Sequence, residues 1–179
     1  MELKTKIFVI NGHNQVGKDT FVKMLQEIAD SKNEKILNVS TIDYVKNIAE
    51  KCGWDGSKTD KSRRFLSDLK DLLTEWNDGP HKAIDEIIFH YSDTVNAIFI
   101  HCREPEEIQR FVDDYAATTI LVERNNVIQC SSNHADLGVN NYNYDIIINN
   151  SRGLKELKEE AEIFYDSFLF EKLDFKSSL

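Results

Sequence analysis

The sequence predicts an α/β fold: a three-layer sandwich in which a five-stranded parallel sheet carries helices on both faces. Three observations predict it. Short apolar or β-branched runs alternate with stretches of helical periodicity along the chain. The run Ala97 to His101 is nearly continuous in apolar residues, as a strand buried on both faces requires. The first strand, Ile7 to Ile10, passes directly into a glycine-bounded turn and then into an amphipathic helix.

That first turn reads Gly12, His13, Asn14, Gln15, Val16, Gly17, Lys18, Asp19, Thr20. Gly12 and Gly17 let the backbone turn tightly, so that successive N–H groups converge on an anion at the start of the next helix. Lys18 adds a mobile positive charge, and the helix, with Phe21, Val22, Leu25 and Ile28 on one face, directs its positive end at the same point. Two glycines and a lysine at the GxxxxGK offsets, between strand and helix, signal a nucleoside triphosphate site. The hydroxyl that usually follows the lysine is displaced by one residue, from Asp19 to Thr20.

The first helix is expected to end near Asp30, and Lys35 to Val39 reads as the second strand. Residues 40–46 lead into a helix through Ile48 and Ala49 that stops at Gly53, followed by a turn over Trp54 to Ser57. Lys58, Lys61, Arg63 and Arg64 then cluster around Asp60. Phe65, Leu66, Leu69, Leu72, Leu73 and Trp76 recur at helical spacing until Asn77 to Pro80 end the helix. Pro80 opens another, with Ala83, Ile84, Ile87, Ile88 and Tyr91 on its face. After the Ala97 to His101 strand, Pro105 and early acids begin a helix carrying Ile108, Phe111, Val112 and Tyr115. Thr118 to Val122 is the fourth strand; Asn125 to Asn143 reads as a loop or lid with a short strand at Val127 to Gln129. Tyr144 to Ile148 is the fifth strand, and a last helix runs from about Gly153 into the Phe-rich end. The expected organisation is one domain over residues 1–179, with an acceptor-binding insertion at about 40–80 and a lid at about 124–144.

At 41% hydrophobic and 30% charged residues, the 179-residue chain has the composition of a soluble globular protein with a sizeable core. No run approaches the roughly 18 apolar residues of a membrane span, and MELKTK before the first strand is not a signal-peptide pattern. The cytoplasm is the expected compartment. Cys52, Cys102 and Cys130 are too few and too scattered for a disulfide framework, and the five histidines show no metal-ligand spacing. A net charge of −9 argues against a nucleic-acid groove, so positive charge has to be local.

Ligands of parallel sheets bind at the carboxyl ends of the strands, and Lys18, Asp43, Lys46, Arg103 and Arg124 each lie just beyond such an end. Phosphoryl transfer asks a protein to align two phosphates, exclude water and surround the migrating group with cations. The turn, with Gly12, Asn14, Val16, Gly17, Lys18, Asp19 and Thr20, is expected to hold ATP. Lys18 would bridge the outer phosphates and Thr20 would touch an inner one. Magnesium is expected with the triphosphate, near Asp19 and Thr20; the competing role for Asp19 is to cap the helix. Arg63 and Arg64, with Asp43 and Lys46, are the candidates for the acceptor, because guanidinium grips phosphate oxygens in bidentate fashion. One arginine of an adjacent pair often faces solvent. Arg103 and Arg124 are candidates to reach the transferring phosphate. Against this, Arg103 could pair with Glu104, Glu106 or Glu107, and Arg124 could be solvated.

With these residues in hand, the whole chain resembles the P-loop nucleoside monophosphate kinase superfamily. Lys18, Asp19 and Thr20 match the lysine-x-threonine order of adenylate kinase, and Lys18-Asp19 is similar to phosphomevalonate kinase and the deoxynucleoside monophosphate kinases. Residues 40–46 resemble the start of the adenylate kinase acceptor region, residues 97–111 the strand, arginine and helix of phosphomevalonate and dephospho-CoA kinases, and residues 144–157 the last strand and helix of these enzymes. The resemblance implies a P-loop NTPase fold and transfer of the γ-phosphate of ATP, with Mg2+, to a nucleoside or deoxynucleoside monophosphate. It also implies small-molecule nucleotide partners, with neither nucleic acid nor membrane among them. The rival readings are a kinase for another small metabolite, of phosphomevalonate or dephospho-CoA type, and a nucleotide-binding regulatory module without turnover. The third reading is motivated by an arginine-poor lid and by His101 standing where a strand-end Asp is common.

Overall fold

The computed structural model describes residues 5–124 and 139–169. Five strands form one all-parallel sheet in the order β2-β3-β1-β4-β5: β1 Lys6–Asn11, β2 Ile36–Ser40, β3 Ala97–His101, β4 Thr118–Glu123 and β5 Ile146–Asn149. The α/β expectation with five parallel strands holds. The short strand expected at 127–129, and most of the expected lid, lie outside the described residues.

Alternation along β1 builds the two faces of the core. Phe8 and Ile10 point to one side, where α1 (Lys18–Ser31) and α6 (Leu154–Phe164) cover them with Phe21, Leu25, Leu157 and Phe164. Val9 points to the other and meets Ile98 and Ile100 of β3, under Ile84 and Ile88 of α4 (Gly79–Tyr91) and Ile108 and Phe111 of α5 (Pro105–Tyr115). The residues of β3 from Ala97 to Ile100 are fully buried, which is why that strand reads as an unbroken apolar run.

Two segments depart from the sequence pattern. β5 starts at Ile146 rather than Tyr144, because the Asp145 carboxylate accepts from Thr119 N and Oγ1 at 2.8 and 2.7 Å, so a side-chain bracket precedes the ladder. Tyr144 itself turns inward, and its hydroxyl accepts from Asn11 Nδ2 at 2.7 Å. Helix α3 (Asp60–Asn77) begins ahead of its first apolar position, with Thr59 Oγ1 accepting from Ser62 N. Its periodic apolar residues do not form a core face: Leu72 and Trp76 are 62% and 83% exposed, and the buried residue of the helix is Lys70. Helix α2 (Thr41–Lys51) and α4 pack beside α3, and no helix among the described residues is long and apolar enough to cross a membrane.

Candidate active site

The turn between β1 and α1 is clamped from behind. Gly12 has φ 146, and a Cβ there would lie 2.4 Å from the carbonyl oxygen of Val122 in β4. Gly17 has φ 102, and its Cβ would lie 2.4 Å from Asn150 Nδ2, which donates to Val16 O at 2.8 Å. Glycine is therefore required twice, by backbone conformation and by close approach. Val16 is buried and Thr20 half-buried. The Lys18 ammonium folds over the turn and donates to Gly12 O at 2.6 Å and His13 O at 2.8 Å.

Beneath the turn, buried Asn11 joins three elements. Its Oδ1 accepts from Gly12 N at 2.8 Å, and its Nδ2 donates to Arg103 O at 3.2 Å as well as to Tyr144. The sequence signal for this role was only a polar residue ending an apolar strand. Arg103, just after β3, returns its guanidinium to the turn and donates to Asn14 Oδ1 at 2.7 Å.

A cleft of about 470 Å³ opens at the carboxyl ends of β1, β2 and β3, under α2 and α3. It brings together Asn14, Lys18 and Asp19 from the turn, Asp43 and Lys46 from α2, Arg63 from α3 and Arg103. Adding Lys70, five cationic side chains face three carboxylates in a chain of net charge −9, so positive charge is concentrated here. Arg64 and Arg124 are exposed and do not line the cleft, and Arg64 lies 3.8 Å from Asp68. Neighbouring helical residues diverge by about 100°, so one of an arginine pair points in and the other away.

Several groups in the cleft are engaged with each other. Ser40 N donates to Asp43 Oδ2 at 3.1 Å in a capping box that starts α2, while Lys46 Nζ donates to Asp43 Oδ1 at 3.0 Å. Arg63 lies 3.9 Å from Asp60. The Asp19 carboxylate is 91% exposed, and Oδ1 stands 3.7 Å from Nε2 of His101. That buried nitrogen has no hydrogen-bond partner among the described residues. Burial depresses the His101 pKa and Asp19 opposes the shift, while Lys18 reinforces it, so the imidazole is neutral near pH 7.

At the base of the cleft, Lys70 crosses from α3 to the start of α5 and donates to Glu107 at 3.0 Å, with Glu104 at 2.7 Å. Burial alone would lower the lysine pKa and raise that of Glu104. Their mutual attraction overrides it, lifting Lys70 and holding Glu104 below the usual carboxylate range. The Cys102 thiol beside them, 3.3 Å from Glu107, is pushed well up by burial and by these acids, so it stays protonated. Glu104 and Glu107 thus serve Lys70, a residue that no motif marked; its one sequence signature is its place seven residues after Arg63, on the same helical face.

No family model matches the chain, and no curated protein matches it. Among solved structures it is similar to one described as a "putative kinase" from Chloroflexus aurantiacus, with a TM-score of 0.51 and 12% identity over 93% of this chain and 97% of that one. At that identity the likeness shows the fold alone: the two chains share one α/β architecture along nearly their whole lengths.

Proposed function

We propose that the protein is an ATP-dependent small-molecule kinase of the P-loop type, transferring the γ-phosphate to a nucleoside or deoxynucleoside monophosphate. The observation that carries this reading is convergence: Lys18 on a clamped glycine turn faces the same cleft as Lys46, Arg63 and Arg103, which arrive from three other parts of the chain. The kinase description of a protein with the same architecture agrees with it. In this reading the turn N–H groups and Lys18 hold the triphosphate, and Lys18 exchanges the carbonyls of Gly12 and His13 for phosphate oxygens. Arg103 gives up Asn14 to meet the migrating group, and Arg63 with Lys46 seats the acceptor. Residues 40–80 would form the acceptor region, and Arg124, at the end of β4, would belong to the proposed lid at 124–144, most of which lies outside the described residues.

The exposed carboxylate of Asp19 fits a hard cation, and the polar cleft beside it leaves room for a hydrated one. Asp19 and Thr20 are the residues that would hold Mg2+, which when bound neutralises charge on the phosphates. The test is ADP release from ATP and Mg2+ across a panel of nucleoside and deoxynucleoside monophosphates. Release with at least one of them is expected, and Lys18→Ala should abolish it while leaving the circular dichroism unchanged. Release only with phosphomevalonate or dephospho-CoA would move the acceptor class, and ATP binding without release to any acceptor would leave a nucleotide-binding module.

A further inference from the structure

We propose that His101 is a ligand for a divalent first-row transition ion of the Mn2+ or Co2+ class, which the cleft binds in preference to Mg2+ together with the triphosphate. The sheet holds the imidazole in place. His101 ends β3, paired with Ile10 of β1 on one side and Ser40 of β2 on the other, and its carbonyl also accepts from Ser40 Oγ at 3.3 Å. Its side chain is 14% exposed and lines the cleft, yet Nε2 meets no hydrogen-bond partner among the described residues. A buried polar atom left in that state is costly, and native proteins keep one where an ion or a reacting group completes it.

The group that Nε2 faces is the Asp19 carboxylate, 3.7 Å away and 91% exposed. Gly17 is the cap residue of α1, so Asp19 stands inside the first turn and is not the cap. Two metal–ligand bonds of about 2.1 Å span at most about 4.2 Å, so one ion can bridge these two atoms, and the exposed carboxylate can turn to admit it. The nitrogen decides which ion. Mg2+ is a hard cation that takes oxygen ligands and gives up water reluctantly, whereas imidazole nitrogen binds the first-row transition ions, with affinity rising from Mn2+ to Co2+. Lys18, Lys46, Arg63 and Arg103 around the cleft repel a bare dication, so the ion enters with phosphate oxygens as further ligands. To that extent ligation by His101 depends on the proposed triphosphate site; the choice of ion depends on the nitrogen.

Pulsed electron paramagnetic resonance of Mn2+ with the non-hydrolysable β,γ-methylene analogue of ATP, on the full chain carrying 15N only in histidine, tests it. The 15N coupling of a directly bonded imidazole is expected. His101→Gln should lose it while the analogue still binds, and His13→Gln, which alters the imidazole of the turn, should keep it. Asp19→Ala changes an exposed side chain, so circular dichroism should stay wild-type while the Mn2+ affinity of the analogue-bound protein falls by about tenfold or more. His101→Asp exchanges nitrogen for oxygen and should lower the ratio of Mn2+ to Mg2+ affinity by a similar factor. If the His101 variants do not fold, the wild-type coupling with the His13 and Asp19 variants still decides. Mn2+ and analogue bound without a 15N coupling overturn the proposal and leave the kinase reading standing. A coupling that survives His101→Gln, or that His13→Gln abolishes, overturns it as well. Failure of the analogue to bind at all removes the triphosphate site, and ligation by His101 with it.

Discussion

Replacing Lys70 by Met removes one ammonium from between two carboxylates and leaves the shape of the site nearly intact. The Lys70 side chain is 10% exposed, Glu107 12% and Glu104 39%. Deleting one member of a buried ion pair costs about 3–5 kcal/mol. Because Glu104 is more than a third exposed, solvent screens part of the loss, and about 3 kcal/mol is the expected cost. For a chain of this length that is a fall in Tm of about 6–12 °C. The pH dependence identifies the cause. In the wild type Lys70 holds Glu104 below its ordinary value of 4.5, so the pair stabilises above that value and the contribution is lost as pH falls through the folded pKa. In Lys70→Met burial, the largest influence on Glu104, loses its main opponent and the carboxyl pKa rises, so protonation relieves the strain and the penalty shrinks between pH 7 and about 4.5. Thermal unfolding at both pH values, with Lys70→Met/Glu104→Gln recovering part of the loss, measures this. An unchanged Tm, or an equal penalty at both pH values, would refute the reasoning.

Arg63→Ala should raise the acceptor KM by about 10–100-fold, the worth of a charge-assisted hydrogen bond, whereas Arg64→Ala should stay within about twofold; steady-state kinetics that affect both equally would contradict the assigned faces. Gly17→Ala should cost about 1–3 kcal/mol in urea unfolding, through its positive φ and the approach of Asn150, and should weaken ATP binding in calorimetry. His101, depressed below its ordinary value of 6.5 by burial, binds its proton more readily in the unfolded chain. Stability should therefore climb with pH in the window just below 6.5, by up to about 1.4 kcal/mol per unit. His101→Gln should flatten that slope in a pH series of denaturant midpoints; a slope identical to wild type would remove His101 as its source.

What the sequence made legible follows from how local each signal is. The glycine turn is a chain-local device, so its residues could be named without a structure, as could Ala97 to His101, whose burial on both faces removes any polar alternation. Ser40 and Asp43 stand at capping-box spacing, a signal that competed with the acceptor role given to Asp43. Periodicity on α3 showed that an apolar face exists but not what covers it, and Leu72 and Trp76 prove to face solvent. The pairing of Lys70 with Glu104 and Glu107, and of Asn11 with Tyr144, spans 34 to 133 residues, and no local pattern encodes partners that far apart. Arg63 and Arg64 were equivalent until the helix fixed their azimuths.

The contact between Asn150 and Val16 links residues 134 apart in the chain. A ribosome adding about 5–20 residues per second needs roughly 7–27 s to travel from one to the other. Until then a nascent chain carries every residue of the glycine loop yet lacks the amide that braces it from behind. If the turn holds a nucleotide as proposed, that capacity would accordingly begin only when the last strand has emerged, and fragments truncated before residue 150 should be unable to retain ATP.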